Sequence, residues 1–195
     1  MKSTLITAPD SYPITVADLK IHARIDHSDE DATVLTNAIN KATEAAEAFT
    51  WRRLITQTWD QYFDGFADNL VLRYAPVQSI TSISYTDTAG ASQTLASSVY
   101  ELGDVHGVPV VRRKYNQVWP STRAHPDVVI VRYVCGYAEL GTTGEYDVPE
   151  TIKQAIRFHA AWEYRNRGDN VEPIGNAFER LLWPYRLLRW AKIGA

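Results

Sequence analysis

Apolar residues recur with a helical period in the first quarter of the chain. A start of the capping-box type at Thr15 and Asp18, with Asp where Glu is usual, predicts a helix over about residues 15–25. A second start at residues 28–31 precedes the strongest periodicity of the sequence. Its alanine-rich face would let another helix approach closely. The apolar members of that face are Val34, Leu35, Ala38, Ile39, Ala42, Ala45, Ala46 and Phe49.

From Ile55 the pattern changes to short runs of Val, Ile, Thr, Tyr and Trp separated by Gly, Pro and Asp, which is typical of β-strands. Residues 86–90 indicate a hairpin loop, and Pro76 and Pro109 favour edges or strand starts. We therefore predict an antiparallel β region with strands at residues 56–63, 70–74, 77–85, 93–95, 99–102, 108–112 and 128–133.

Helical periodicity returns at Pro149 and Glu150. A proline suits the first helical position because its missing N–H is not needed there, and a carboxylate is favourable at the positive end of the helix dipole. Two faces of this helix carry large side chains, since Phe158, Trp162 and Arg165 lie away from the main apolar face. We expect both faces to be covered.

The order of these elements predicts an α+β fold. Two N-terminal helices and the proline-started helix form a helical body, an antiparallel β subdomain is inserted into it, and a C-terminal arm follows. The predicted divisions are residues 1–54 for the N-terminal part of the body, 55–147 for the β insertion, 148–167 for the C-terminal helix of the body, and 168–195 for a linker and docking arm.

Composition and charge exclude several classes of function. Hydrophobic residues make up 45% and charged residues 22% of the 195, which disfavours disordered and collagen-like classes. No apolar run reaches the roughly 20 residues that a membrane span needs, so we expect no membrane role. The net charge of -3 argues against nucleic acid as the main ligand. Residues 1–50 carry eight acidic and four basic side chains and residues 150–195 five and eight, so the two ends could attract each other between subunits.

Candidate catalytic and metal-binding residues are few. The acidic cluster at residues 26–31 could bind a divalent cation, but it lacks the glycine of an EF-hand loop, and carboxylates at a helix start are expected from the dipole alone. His159 and Glu163, one helical turn apart, are more often a packing or interface pair than a ligand set. Cys135 has no partner for an internal disulfide and is expected to be buried and inert. With no GxSxG, Walker or GxGxxG motif, we predict no enzymatic activity, cofactor or metal site.

Two basic groups are candidates for binding. Arg112, Arg113 and Lys114 lie in the β region, where a solvent-exposed hairpin tip is the simple explanation. Contact with passing DNA or with a neighbouring subunit is the functional one.

The C-terminal arm combines aromatic residues with arginine, the side chains that dominate protein interfaces. The alternative is a terminal helix packed on its own core. Apolar groups on more than one face favour the interface. The predicted partner-binding residues are Arg180, Leu181, Leu182, Trp183, Tyr185, Arg186, Leu188, Arg189 and Trp190.

The predicted helices, β insertion and C-terminal arm, taken in chain order, resemble the head-tail connector (adaptor) proteins of long-tailed bacteriophages and gene transfer agents. The shared features are a helix pair, a β insertion, a proline-started helix and a Pro-Tyr-Arg ending. In two departures, Trp51 stands where a glycine is expected to end the second helix, and Cys135 replaces a small residue before Gly136. The matching stretches are residues 19–26, 29–31, 55–59, 75–77, 83–87, 136–137, 148–155 and 181–186.

The resemblance implies a structural, non-enzymatic subunit of a ring of twelve copies at the head-tail junction of a virion or gene transfer agent particle, made in the host cytoplasm. Its implied partners are further copies of itself, the portal protein above, a head-completion or tail protein below, and genomic DNA passing through the lumen. The arm would reach the portal and be loose before docking, because ordering it costs entropy. The alternatives are a phage tail or baseplate structural protein and a small metal-dependent hydrolase using His159, Glu163 and the acidic cluster.

Overall fold

The structure, a computed structural model, describes residues 2–25, 32–105, 107–140, 145–166 and 176–187. Helices and antiparallel sheets confirm the predicted α+β class. The chain divides into two compact units with separate hydrophobic cores. The β unit contains the described residues of 2–9 and 56–136 together with Leu187, and the helical unit contains those of 10–55 and 137–186.

The β unit consists of two antiparallel sheets around one core. Its strands are β1 (Ser3–Thr7), β2 (Gln57–Phe63), β3 (Asn69–Val71), β4 (Val77–Thr86), β5 (Ser92–Thr94), β6 (Tyr100–Val105), β7 (Val108–Arg113) and β8 (Val129–Cys135). One sheet has the order β1-β2-β8-β4-β5 and the other β3-β7-β6. Strand β8 lies between β2 and β4, and its alternate residues are buried, as expected for a strand with one face in the core.

Polar contacts join the strands of the β unit. Asp60 on β2 lies opposite Arg132 on β8, and its two carboxylate oxygens accept bonds of 2.7 Å each from the guanidinium. That pair raises the pKa of Arg132. The fully buried Gln61 reaches the other sheet, where its amide donates to the Val71 carbonyl (2.7 Å) and accepts from the Arg73 N–H (2.8 Å). The hydrogen bonds of Gln61 therefore tie the two sheets together.

The helical unit contains α1 (Val16–Ala23), α2 (Ala32–Thr50), α3 (Glu150–Arg165) and α4 (Ala177–Leu182), followed by a 3-10 turn at Trp183–Tyr185. A short ribbon of β9 (Glu139–Leu140) and β10 (Glu145–Tyr146) precedes α3. Helices α2 and α3 pack against each other along the predicted alanine-rich face, in which Ala38, Ala42 and Ala46 are buried. None of the helices in the described ranges is long and apolar enough to cross a membrane.

The helix ends follow local sequence signals. At α1 the Thr15 hydroxyl accepts from the Asp18 N–H (3.1 Å) and the Asp18 carboxylate accepts from the Thr15 N–H (3.0 Å), so the predicted capping box is confirmed. At α2 the next residue, Trp51, takes the left-handed conformation with φ 59°. This is the position where the resemblance called for glycine, and a tryptophan adopts it at a cost of about 1 kcal/mol.

A half-buried carboxylate closes the turn after α2. Glu47 accepts hydrogen bonds from the Arg53 guanidinium (2.6 Å) and from the Leu54 N–H (2.9 Å). Burial raises the pKa of the Glu47 carboxyl, while Arg53 acts in the opposite direction. These bonds hold the chain where it leaves the helix, in place of a glycine cap.

Strand β1 is absent from the sequence prediction. Four of its five residues are exposed, so no alternation of apolar and polar positions marks it. It pairs with β2 at the edge of the five-stranded sheet, which only the tertiary structure reveals.

Candidate partner-binding surface

The described part of the C-terminal arm, residues 176–187, is here called the anchored segment. Its helix α4 turns Phe178 and Leu182, four residues apart, into the core of the helical unit. The Phe178 ring meets the His159 ring of α3 edge-on, with centroids 4.8 Å apart. Within the described residues, Phe178 and Leu182 therefore pack the anchored segment on the helical unit.

Residues at the end of α2 contact the 3-10 turn that follows α4. The Arg52 Nε–H donates to the Tyr185 carbonyl at 2.6 Å. Arg186 lies against two rings, with its guanidinium carbon 5.3 Å from the Phe49 centroid and 5.6 Å from the Trp183 centroid. Such contacts fix the direction of a guanidinium without neutralising its charge.

The anchored segment therefore has an inner and an outer side. The outer side presents Arg180 and Arg186, which are exposed, and Trp183, which is 60% exposed. Asn176, Glu179, Arg180 and Trp183 line a shallow groove there. An exposed indole between two arginines is a surface suited to carboxylates and apolar groups of another protein.

The sequence analysis assigned all the predicted partner-binding residues of the C-terminal arm to one surface. The structure separates them into buried and exposed residues. Leu182 is buried, and Leu181 and Tyr185 are half-buried against the core, so these three hold the segment in place. Leu188, Arg189 and Trp190 lie outside the described residues. Two contributors were missed by sequence reasoning, Phe49 and Arg52. Phe49 was assigned to the apolar stripe of α2, and nothing in the sequence marks Arg52.

Arg112, Arg113 and Lys114 lie at the end of β7 and just beyond it, and each has a partner within the β unit. Arg112 pairs with Glu101 at 2.7 Å and Arg113 with Asp68 at 3.3 Å. The Lys114 ammonium donates to the Ser97 carbonyl at 3.0 Å. Of these three side chains, Lys114 alone has no ion pair with a carboxylate in the part of the chain that the structure describes.

The turn after this group presents Tyr115, which is 92% exposed, with Asn116 in the left-handed conformation at φ 58°. It is closed by a hydrogen bond from the Gln117 N–H to the Lys114 carbonyl (3.1 Å). The group is thus the start of an ordered surface turn.

His159 and Glu163 form a packing pair. The His159 Nε2 lies 3.6 Å from the Glu163 carboxylate, which also binds the Lys41 ammonium at 3.1 Å. Burial lowers the pKa of His159. In the part of the chain that the structure describes, no three His, Cys, Asp or Glu side chains are grouped to hold a metal ion. The acidic cluster at residues 26–31 lies outside that part, and the Cys135 thiol is buried, as predicted.

The chain is thus an α+β protein of two units, and its helical unit exposes the side chains of Arg180, Trp183 and Arg186. Residues 13–97 match the model of the family described as "Phage gp6-like head-tail connector protein". The resemblance found in the sequence is thereby confirmed over that region. No curated protein sequence matches the chain.

Several solved structures share the fold over nearly the whole chain. They include chains from "Virion of native gene transfer agent (GTA) particle" (21% identity, TM-score 0.78) and "Neck of empty GTA particle computed with C6 symmetry" (20%, 0.79). A third is "Neck of native GTA particle computed with C12 symmetry" (21%, 0.77). In each comparison 97% of both chains is covered, so both units find a counterpart. At 20 to 21% sequence identity, these matches show that the fold is shared.

Proposed function

We propose that the chain is a structural head-tail connector subunit that forms a ring at the junction of capsid and tail in a phage-like particle. The observation that carries the proposal is the shared fold over 97% of both chains with chains from GTA virion and neck structures, at TM-scores of 0.77 to 0.79. The family match over residues 13–97 supports the same function independently. Its role is assembly, without catalysis or cofactor.

The anchored segment is the proposed contact with the portal protein. Trp183 supplies an exposed aromatic anchor, and Arg180 and Arg186 supply cations for portal carboxylates. Because Phe49 and Arg52 already fix Arg186 and Tyr185, little ordering entropy is lost on docking at these residues. Leu188, Arg189 and Trp190 extend this proposed contact.

Genomic DNA passing through the ring is a proposed transient neighbour of Arg112, Arg113 and Lys114. Glu101 and Asp68 offset the two arginine charges, so this group attracts phosphate weakly. Weak attraction suits a channel, since tight binding would hold the DNA in place. A contact with the neighbouring copy is the other role proposed for these residues, and a head-completion or tail protein is the partner proposed below the ring.

Electron microscopy of the purified chain with and without its portal protein tests the ring. Rings that attach to the portal support the proposal, and attachment only to tail or baseplate components would contradict it. Binding to the portal, measured by calorimetry, then tests the contact. Replacing Trp183 with alanine should weaken binding by roughly 30-fold, the loss expected for an interface hot spot. The control is Tyr115→Ala, which removes an even more exposed aromatic in the β unit and should leave portal affinity unchanged.

A further inference from the structure

Two apolar side chains of the helical unit are exposed without serving the anchored segment. Ile21 on α1 is 79% exposed and Phe158 on α3 is 41% exposed. The Phe158 ring is met edge-on by the His22 ring, with centroids 5.3 Å apart. Large apolar groups exposed on a folded surface often mark a binding site. On the second face of α3, expected from the sequence to be covered, Phe158 and Arg165 are exposed within a single copy and Trp162 is half-buried.

This surface is basic. Arg24 follows α1 and Arg165 ends α3, both are exposed, and Arg165 lies close enough to act on the pKa of His22. Among the described residues, the ion pairs found include neither arginine. We call Ile21, His22, Arg24, Phe158 and Arg165 the basic face.

A second surface of the same unit is acidic. Asp10, Glu139 and Asp147 are exposed around Tyr146, whose hydroxyl donates to the Asp10 carboxylate at 3.1 Å. None of the three carboxylates takes part in an ion pair within the described ranges. Tyr12, two residues beyond Asp10, is 42% exposed. We call Asp10, Tyr12, Glu139 and Asp147 the acidic face.

The two faces belong to opposite ends of the helices. Asp18 lies near Lys153 and Arg157, while His22 lies near Phe158 and Arg165, so α1 and α3 run in the same direction. The acidic face precedes their first turns and the basic face includes their last. The helix dipole accounts for charges of these signs at these ends. It does not account for the exposure of Ile21 and Phe158.

We propose that the basic face of one copy binds the acidic face of the next, and that Ile21 and Phe158 lie at the centre of this contact. The occupant is a second copy because a single helical unit carries both complementary charge patterns. Two different patches make a heterologous contact, which repeats from copy to copy and closes into a ring when the rotation allows. The inference rests on the proposed ring and assigns its contact between helical units.

Charge reversal tests the pairing. Arg165→Glu places a carboxylate opposite the acidic face of the next copy, and Asp147→Lys places a cation opposite the basic face, so each variant alone should assemble roughly tenfold more weakly than the natural chain. An equimolar mixture should assemble again, since copies that alternate around the ring pair Glu with Lys at one contact and Arg with Asp at the next. The double variant on one chain should recover as well. Native mass spectrometry and sedimentation velocity measure all four samples.

Controls separate this inference from the ring itself. Glu44→Lys, a charge reversal at an exposed position of α2 outside both faces, should leave assembly unchanged. Ile21→Ser should weaken assembly while the melting temperature stays constant, because the side chain is already in water. If the natural chain forms rings that neither single reversal weakens, or if the mixture fails to recover, the proposed contact is wrong while the ring stands. A natural chain that never assembles, alone or with the portal, would overturn the ring.

Discussion

The bond between the two sheets of the β unit gives a prediction whose size follows from the structure. Leu72 donates its N–H to Pro109 on β7, so the backbone groups of Val71 and Arg73 point away from that strand. Gln61 satisfies both, through the Val71 carbonyl at 2.7 Å and the Arg73 N–H at 2.8 Å. Gln61→Met keeps a side chain of similar length and removes both hydrogen bonds.

The expected loss of stability is about 2 kcal/mol. An unsatisfied buried polar group costs about 1 to 3 kcal/mol. Val71 and Arg73 are half-buried, so water reaches them in part and the lower end of that range applies to each. In a chain of this length, 2 kcal/mol lowers the melting temperature by about 4 to 8 °C.

Calorimetry and amide hydrogen exchange measure the effect. The Gln61→Met protein should show the lowered transition and faster exchange at the Arg73 N–H, whereas exchange in α2 should not change. The matched control is Gln93→Met on β5, whose amide bonds Asp87 at an exposed position and should contribute less than about 0.5 kcal/mol. Unchanged stability together with unchanged protection of the Arg73 amide would refute the assigned link between the sheets.

Three further outcomes are expected. Trp51→Gly should be about 1 kcal/mol more stable than Trp51→Ala in urea unfolding, because both lose the indole and only glycine relieves the left-handed backbone; equal stabilities would contradict this. The hydrogen bond from the Thr15 N–H lowers the pKa of Asp18 below its ordinary value of 3.8, so its stabilisation is complete above pH 3.8 and is lost as the pH falls through the lower folded value. The stability gap between the natural protein and Asp18→Asn should narrow over that window, and a gap that widens towards acid would have the wrong sign. Cys135 should react with a thiol reagent only as fast as the β unit opens, and rapid labelling under native conditions would show that it is not buried.

Much of the helical unit could be predicted because its signals are local. The capping box of Thr15 and Asp18, the apolar period of α2 and the start of α3 after Pro149 depend on residues within one or two turns. Strand β8 likewise shows its alternation directly. Local hydrogen bonding and burial on one face act through near neighbours, so a single sequence contains them.

Local sequence patterns do not predict how the residues of the candidate site are arranged. The aromatic and basic composition of the C-terminal arm predicts a binding segment, yet Leu182 and Trp183, adjacent in the chain, have opposite environments. Packing of α4 on α3 makes that choice, and Phe49 and Arg52, more than a hundred residues earlier in the chain, fix the 3-10 turn. Arg112 and Arg113 have the sequence of a basic patch, but Glu101 and Asp68 from other segments offset their charge.

The sequence alone determined the α+β class, the capping box of α1, the apolar period of α2 and the resemblance to head-tail connectors, because periodicity and capping are short-range properties. Only the tertiary structure decided that β1 closes the edge of a sheet, that the anchored segment has a buried and an exposed side, and that the helical unit carries complementary charged faces. Those features depend on which distant segments meet, and contacts between residues far apart in the chain leave no mark in the local pattern.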